Sequence, residues 1–180
     1  MKIDTRRWCI GKLAAIATAV TGAQLLLAQQ TPPGGARPAS AAGNQPRGVN
    51  NGIYYFPGLG ANSGYSREDH VLVTDPFEKH VTRTMDALKR TLERAGCSMD
   101  SILHLEVYIC LPHAESIPMP TGKARFDAHK AQYDALNKIY GTYFSPGKAP
   151  SRACMALEWI PGDSLIEVVG SAVVVSPPAA

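Results

Sequence analysis

Residues 77–111 constrain the fold more than any other part of the chain. Phe77, Val81, Met85, Leu88, Leu92 and Ala95 recur at three- and four-residue steps, the period of one apolar helix face. Asp75 is placed as N-cap, Pro76 at the first helical position, and Glu78 to complete a capping box; Gly96 is placed to end the helix. Directly afterwards Ile102 to Leu111 alternates, with Ile102, His104, Glu106, Tyr108 and Cys110 on one side and Leu103, Leu105, Val107, Ile109 and Leu111 on the other. A one-faced helix running into a strand has to bury its face on a sheet, which makes an α+β layer the expected class.

The flanking segments extend that layer. Ile53–Phe56 reads as a strand stopped by Pro57–Gly58, and His70–Val73 as a short second one. Pro112–Gly122 reads as a long loop, and residues 124–144 as a second helix with Phe126, Tyr133, Leu136, Tyr140 and Phe144 along one face. Residues 152–159 and 165–175 are the last strands, and the Pro161–Gly162–Asp163 turn between them points to an antiparallel hairpin. The expectation is a mixed sheet of about six strands covered on one face by two helices, folded from 52–176.

Residues 1–28 read as an export signal. Lys2, Arg6, Arg7 and Lys12 form a basic head, the arginine pair is twin-arginine-like, and the following apolar run of roughly 16 residues is short for a bilayer span. Either export route points to the periplasm, with no membrane anchor once the signal is cleaved. Residues 29–51 are Pro, Gly, Ala, Asn and Gln with almost no large apolar side chain, so a flexible linker is expected. The chain has 18 Lys+Arg against 15 Asp+Glu, and removing the signal leaves 14 against 14. A neutral domain has no general pull on phosphate backbones, so nucleic acid is not an expected partner and RNA cleavage fits poorly. Cys97, Cys110 and Cys154 remain, with no spacing that selects a disulfide and no metal pattern, and separate buried thiols are the expectation.

The chemistry concentrates near the C-terminus. Arg152 and Glu167 fall on the last two strands, where a hairpin makes them neighbours. A guanidinium grips a carboxylate through two parallel hydrogen bonds, and Glu167 interrupts an apolar run where a charge is costly unless wet or paired. A structural ion pair between the two is the competing reading. Cys154, two residues after Arg152, shares its face of the strand and suits a structural role better than a nucleophilic one. His70, His80, His104, His113 and His129 show neither metal spacing nor a triad, so solvated or packing roles are expected. The glycine-rich run 58–64 is not followed by a helix and reads as a turn; Tyr133, Tyr140, Tyr143 and Phe144 read as core or subunit contacts.

Gly58, Ala95–Gly96, Asn137 with Tyr140, the segment Pro150-Ser151-Arg152-Ala153-Cys154, Ile160–Pro161 and Glu167 together resemble the reactive-intermediate deaminase family, RidA or YjgF-like, over residues 48–175. The resemblance implies a chorismate-mutase-like fold assembled as a homotrimer with clefts between subunits, and no cofactor or metal. It implies that Arg152 anchors the carboxylate of a 2-imino or enamine acid, that Glu167 positions the hydrolytic water, and that Cys154, Asn137 and Gly58 line the cleft. The products would be 2-oxo acids and ammonia. Where the family has a serine followed by Gly-Gln, this chain has Pro57–Gly58–Leu59, and the family's tyrosine in an early Pro-Tyr segment has no counterpart. An alternative is therefore a non-catalytic protein that binds small carboxylates outside the cytoplasm.

Overall fold

The computed structural model describes residues 47–175, so the export-signal expectation and most of the linker lie outside the described residues. Seven regular elements follow in order: β1 (Val49–Asn50), β2 (Ile53–Gly60), α1 (Phe77–Arg94), β3 (Ile102–Cys110), α2 (Gly122–Tyr140), β4 (Arg152–Leu157) and β5 (Ile166–Val173). They form one mixed five-stranded sheet in the order β1-β2-β5-β3-β4 with two helices. Asn51 and Gly52, both with positive φ, turn β1 into β2 as a two-residue hairpin loop, so regular structure begins a few residues before Gly52.

α1 packs Val81, Met85, Leu88 and Leu92, all fully buried, onto Leu105, Val107, Ile166 and Val168. Each such side chain contributes on the order of 1.5–3 kcal/mol by leaving water. The helix stops as its sequence requires: Gly96 takes φ +74°, Gly96 N–H donates to Glu93 O at 3.1 Å, and Cys97 N–H donates to Leu92 O at 2.9 Å. That pair of bonds closes the last turn only where φ can be positive, which glycine permits. The start differs from expectation. The helix begins at Phe77 with Pro76 as N-cap, while the Asp75 carboxylate accepts from Leu72 N–H at 2.8 Å and Lys79 Nζ at 3.0 Å. Asp75 therefore ties down the turn before the helix, a closer set of donors than the first helical N–H groups.

Three further expectations change. His70–Val73 is not a strand: a 3₁₀ turn at Arg67–Asp69 leads into irregular backbone with fully buried Val71. Those residues are held by side chains instead of a ladder, as Asn62 Oδ1 accepts from Val71 N–H at 2.7 Å and Asn62 Nδ2 donates to Val71 O at 3.1 Å. The second helix ends at Tyr140 and continues as a 3₁₀ turn, Gly141–Tyr143; along it Leu136, Tyr140 and Phe144 are buried but Phe126 and Tyr133 face water. Most important, the last two strands are not a hairpin. β4 runs parallel to β3 at the sheet edge, and β5 lies on the other side of β3, antiparallel to both β3 and β2.

His80 is fully buried on α1. Its Nδ1 accepts from Leu165 N–H at 3.3 Å, which leaves the proton on Nε2 to bond Leu72 O at 3.1 Å. Burial holds its pKa below the usual imidazole value, so the ring is a neutral strut between the 70–73 segment and the entry to β5.

Candidate functional site

Arg152 opens β4 opposite Leu105 of β3, which is opposite Gly170 of β5 and, beyond it, Phe56 of β2. Leu105 and Phe56 are core residues, so this row, Arg152 included, faces the helices. There its guanidinium donates to Asn137 Oδ1 on α2 and lies 4.1 Å from the Tyr140 ring and 5.8 Å from that of Tyr133. Among the described residues it has no carboxylate partner, and its Nη1 is buried without a hydrogen bond. Cys154 follows on the same face, half-buried against the core as the two-residue spacing predicts. Burial pushes the thiols of Cys97, Cys110 and Cys154 up, Cys110 to about 11, with Arg152 pulling the other way only on Cys154. All three are free thiols, and none is activated as a nucleophile.

Glu167 belongs to the other face. It is paired across the ladder with Tyr108, whose strand neighbours on that side are Glu106 and partly exposed Met155, and no helix of the described residues covers them. Tyr108 donates its hydroxyl to Glu106 Oε2, which drives the phenol's pKa up. Gly58 lies against the Glu167 carboxylate, and a Cβ there would stand 2.5 Å from Oε1. This approach follows from the sequence: Pro57 has no N–H for the ladder, the β2 register slips between Phe56 and Leu59, and glycine leaves the room that the slip exposes.

Glu167 also lines a cleft of about 280 Å³ whose walls include Gly60, Ser63, His70, Asp163 and Ser164. Two polar side chains keep those walls in place. Asn62 Nδ2 reaches Gly162 O at 3.1 Å as well as Val71, and Ser164 Oγ accepts from Ala61 N–H at 2.9 Å and donates to Ile166 O at 2.6 Å. His70 and Asp163 escaped the sequence reading because they sit on a turn and a loop that only the fold brings beside Glu167. We expect Gly58→Ala to displace the carboxylate and lower the rate of any reaction that needs it at least ~10-fold. Unfolding free energy should change by less than about 1 kcal/mol, since a flexible side chain can move aside. Activity and urea denaturation of one preparation separate the two effects.

The five sequence-derived residues thus form two groups, Arg152, Asn137 and Cys154 on the helix side and Gly58 with Glu167 on the open side. Arg152 and Glu167 are two strands and three residue steps apart, roughly 14 Å at ordinary sheet spacings, and point to opposite faces. The ion pair that the hairpin would have allowed is absent because β3 stands between them. Among the described residues no three His, Cys, Asp or Glu side chains converge as a metal-ligand set.

No protein-family model matches the chain. It is 25% identical over 91 residues to a RutC family protein of Synechocystis, covering 51% of this chain and 56% of that one, so it spans little more than half the length of this curated relative. A protein of unknown function of the conserved Rid family from Yersinia pestis superposes with TM-score 0.53 at 21% identity, over 70% of this chain and 83% of that one. In fold the chain is RidA-like. A structure from Entamoeba histolytica, described as a candidate endoribonuclease L-PSP, gives TM-score 0.51 at 26% identity over 69% and 82% of the two chains. The five strands and two helices of the RidA-like chain match the fold of these neighbours.

Proposed function

We propose that this RidA-like protein is a homotrimeric deaminase that hydrolyses small 2-imino or enamine acids to 2-oxo acids and ammonia. The observation that carries the reading is Arg152. A guanidinium is ionised at any relevant pH, and this one is oriented by Asn137 and two tyrosine faces without a carboxylate to satisfy it. A substrate carboxylate is the complementary group, and two parallel hydrogen bonds would fix its orientation.

Hydrolysis of the C=N bond then needs a base for water, and Glu167 is the carboxylate of the open face that lines the cleft. Because Arg152 and Glu167 face opposite ways, one copy cannot apply both to one small substrate. The reading therefore takes the arginine side from one subunit and the Gly58–Glu167 side from its neighbour, three times around a closed ring. The uncovered sheet face fits this, since partly exposed Tyr55, Met155 and Leu157 lie on it and need an apolar partner.

The test is complementation. Imines are generated from amino acids by an amino-acid oxidase, and ammonia release above the buffer rate is followed with the full chain. Arg152→Ala and Glu167→Gln should each be inactive alone, yet subunits mixed by refolding together should regain roughly a quarter of wild-type activity, the share of clefts with two intact walls. Wild-type protein that never exceeds buffer would end the deaminase reading; carboxylate binding that depends on Arg152 without turnover would replace it with a binding protein.

A further inference from the structure

We propose that His70 is a catalytic acid–base residue of the Glu167 cleft, an inference that rests on the deaminase reading. His70 ends the 3₁₀ turn Arg67–Asp69, with its N–H on Arg67 O at 3.4 Å, and its side chain is exposed into the cleft that Glu167 lines. Its ring makes no hydrogen bond among the described residues, whereas the backbone that follows it is fixed: Val71 is fully buried and clipped to Asn62, and Leu72 O is held by His80. A titratable ring with free nitrogens on an anchored backbone, facing a carboxylate across a small cleft, is what proton transfer to a departing nitrogen requires. The volume of about 280 Å³ suits an acid of a few heavy atoms, below the usual range for drug-sized ligands. The charged groups around the ring are Arg67, Glu68 and Asp69 on its own turn, Asp163 on the turn before β5, and Glu167 on β5.

The steps balance with these two side chains alone. Ionised Glu167 takes a proton from water as the oxygen bonds to the imine carbon, and protonated His70 gives a proton to the imine nitrogen, leaving a neutral carbinolamine. Glu167 then returns its proton to the amino nitrogen while His70 removes the hydroxyl proton. The C–N bond breaks, the C=O bond forms, ammonia departs, and both side chains recover their starting charge.

The experiment measures ammonia release from oxidase-generated 2-iminopropanoate by the full-length wild type, His70→Gln, His70→Ala and Arg152→Ala, with buffer blanks subtracted. His70→Gln should lose at least ~100-fold in kcat, and added imidazole should restore part of the rate of His70→Ala. A His70→Gln enzyme with wild-type rate, beside an inactive Arg152→Ala, overturns the role of His70 alone. A wild type no faster than buffer overturns the deaminase reading and this inference with it.

Discussion

Replacing Arg152 with alanine should abolish ammonia release above the buffer rate, a loss of ~100-fold or more in kcat/KM, and leave the fold intact. The side chain contributes little to the core: it sits at the sheet edge, partly exposed, with Asn137 and two tyrosine faces as its contacts. On the proposed reading its removal takes away a charge-assisted, two-point grip on a carboxylate, an interaction worth on the order of 1.5–3 kcal/mol per hydrogen bond. Arg152→Lys is the informative companion. Lysine keeps the charge and loses the planar fork, so if orientation matters as argued, it should recover binding of 2-oxo acids better than it recovers turnover. An Arg152→Ala enzyme as active as wild type would remove the carboxylate anchor from the proposal.

The largest effect on stability should come from Gly170→Ala. Gly170 faces Leu105 across the β3–β5 ladder, on the side covered by helices. An added Cβ would stand well inside van der Waals contact distance of the His104 carbonyl oxygen and 2.8 Å from Phe56 Cζ. The carbonyl is backbone at the irregularity where the β3 register slips between Ile102 and His104, so it has no rotamer through which to retreat, and the Phe56 ring is 98% buried. Overpacking of this kind costs ~3 kcal/mol or more. For a domain of this size that is roughly 10 °C in Tm, readable by thermal denaturation, and a variant as stable as wild type would show that the strand can bend more than its packing suggests.

How much of this was legible in the sequence depends on whether the signal was local. The α1 face, its stop at Gly96, the strand at Ile102 and the shared face of Arg152 and Cys154 all follow from periods and caps that a few residues specify. The hairpin failed for a physical reason. The 161–163 turn does reverse the chain, but a reversal does not decide which strands pair, and β3 takes the place between β4 and β5. The burial records the outcome: Leu165, Ile166 and Val168 form a nearly continuous buried run, as in a central strand, while residues 155–157 are exposed, as in an edge strand. The Glu167 cleft was out of reach for the same reason, because residues from three separate segments reach it only through Asn62 and Ser164, whose partners are up to 103 positions away.

The edge position of β4 has a consequence for the newly made chain. Among the described residues its outer backbone groups have no ladder partner, and Met155, Leu157 and Trp159 stand exposed along or just beyond it. On the proposed trimeric reading, a subunit that has folded and not yet met another is a ready template for strand addition by whatever extended chain arrives first. Dilution, slow synthesis or a damaged counterpart would lengthen that solitary interval, and precipitation would then compete with assembly for the same strand.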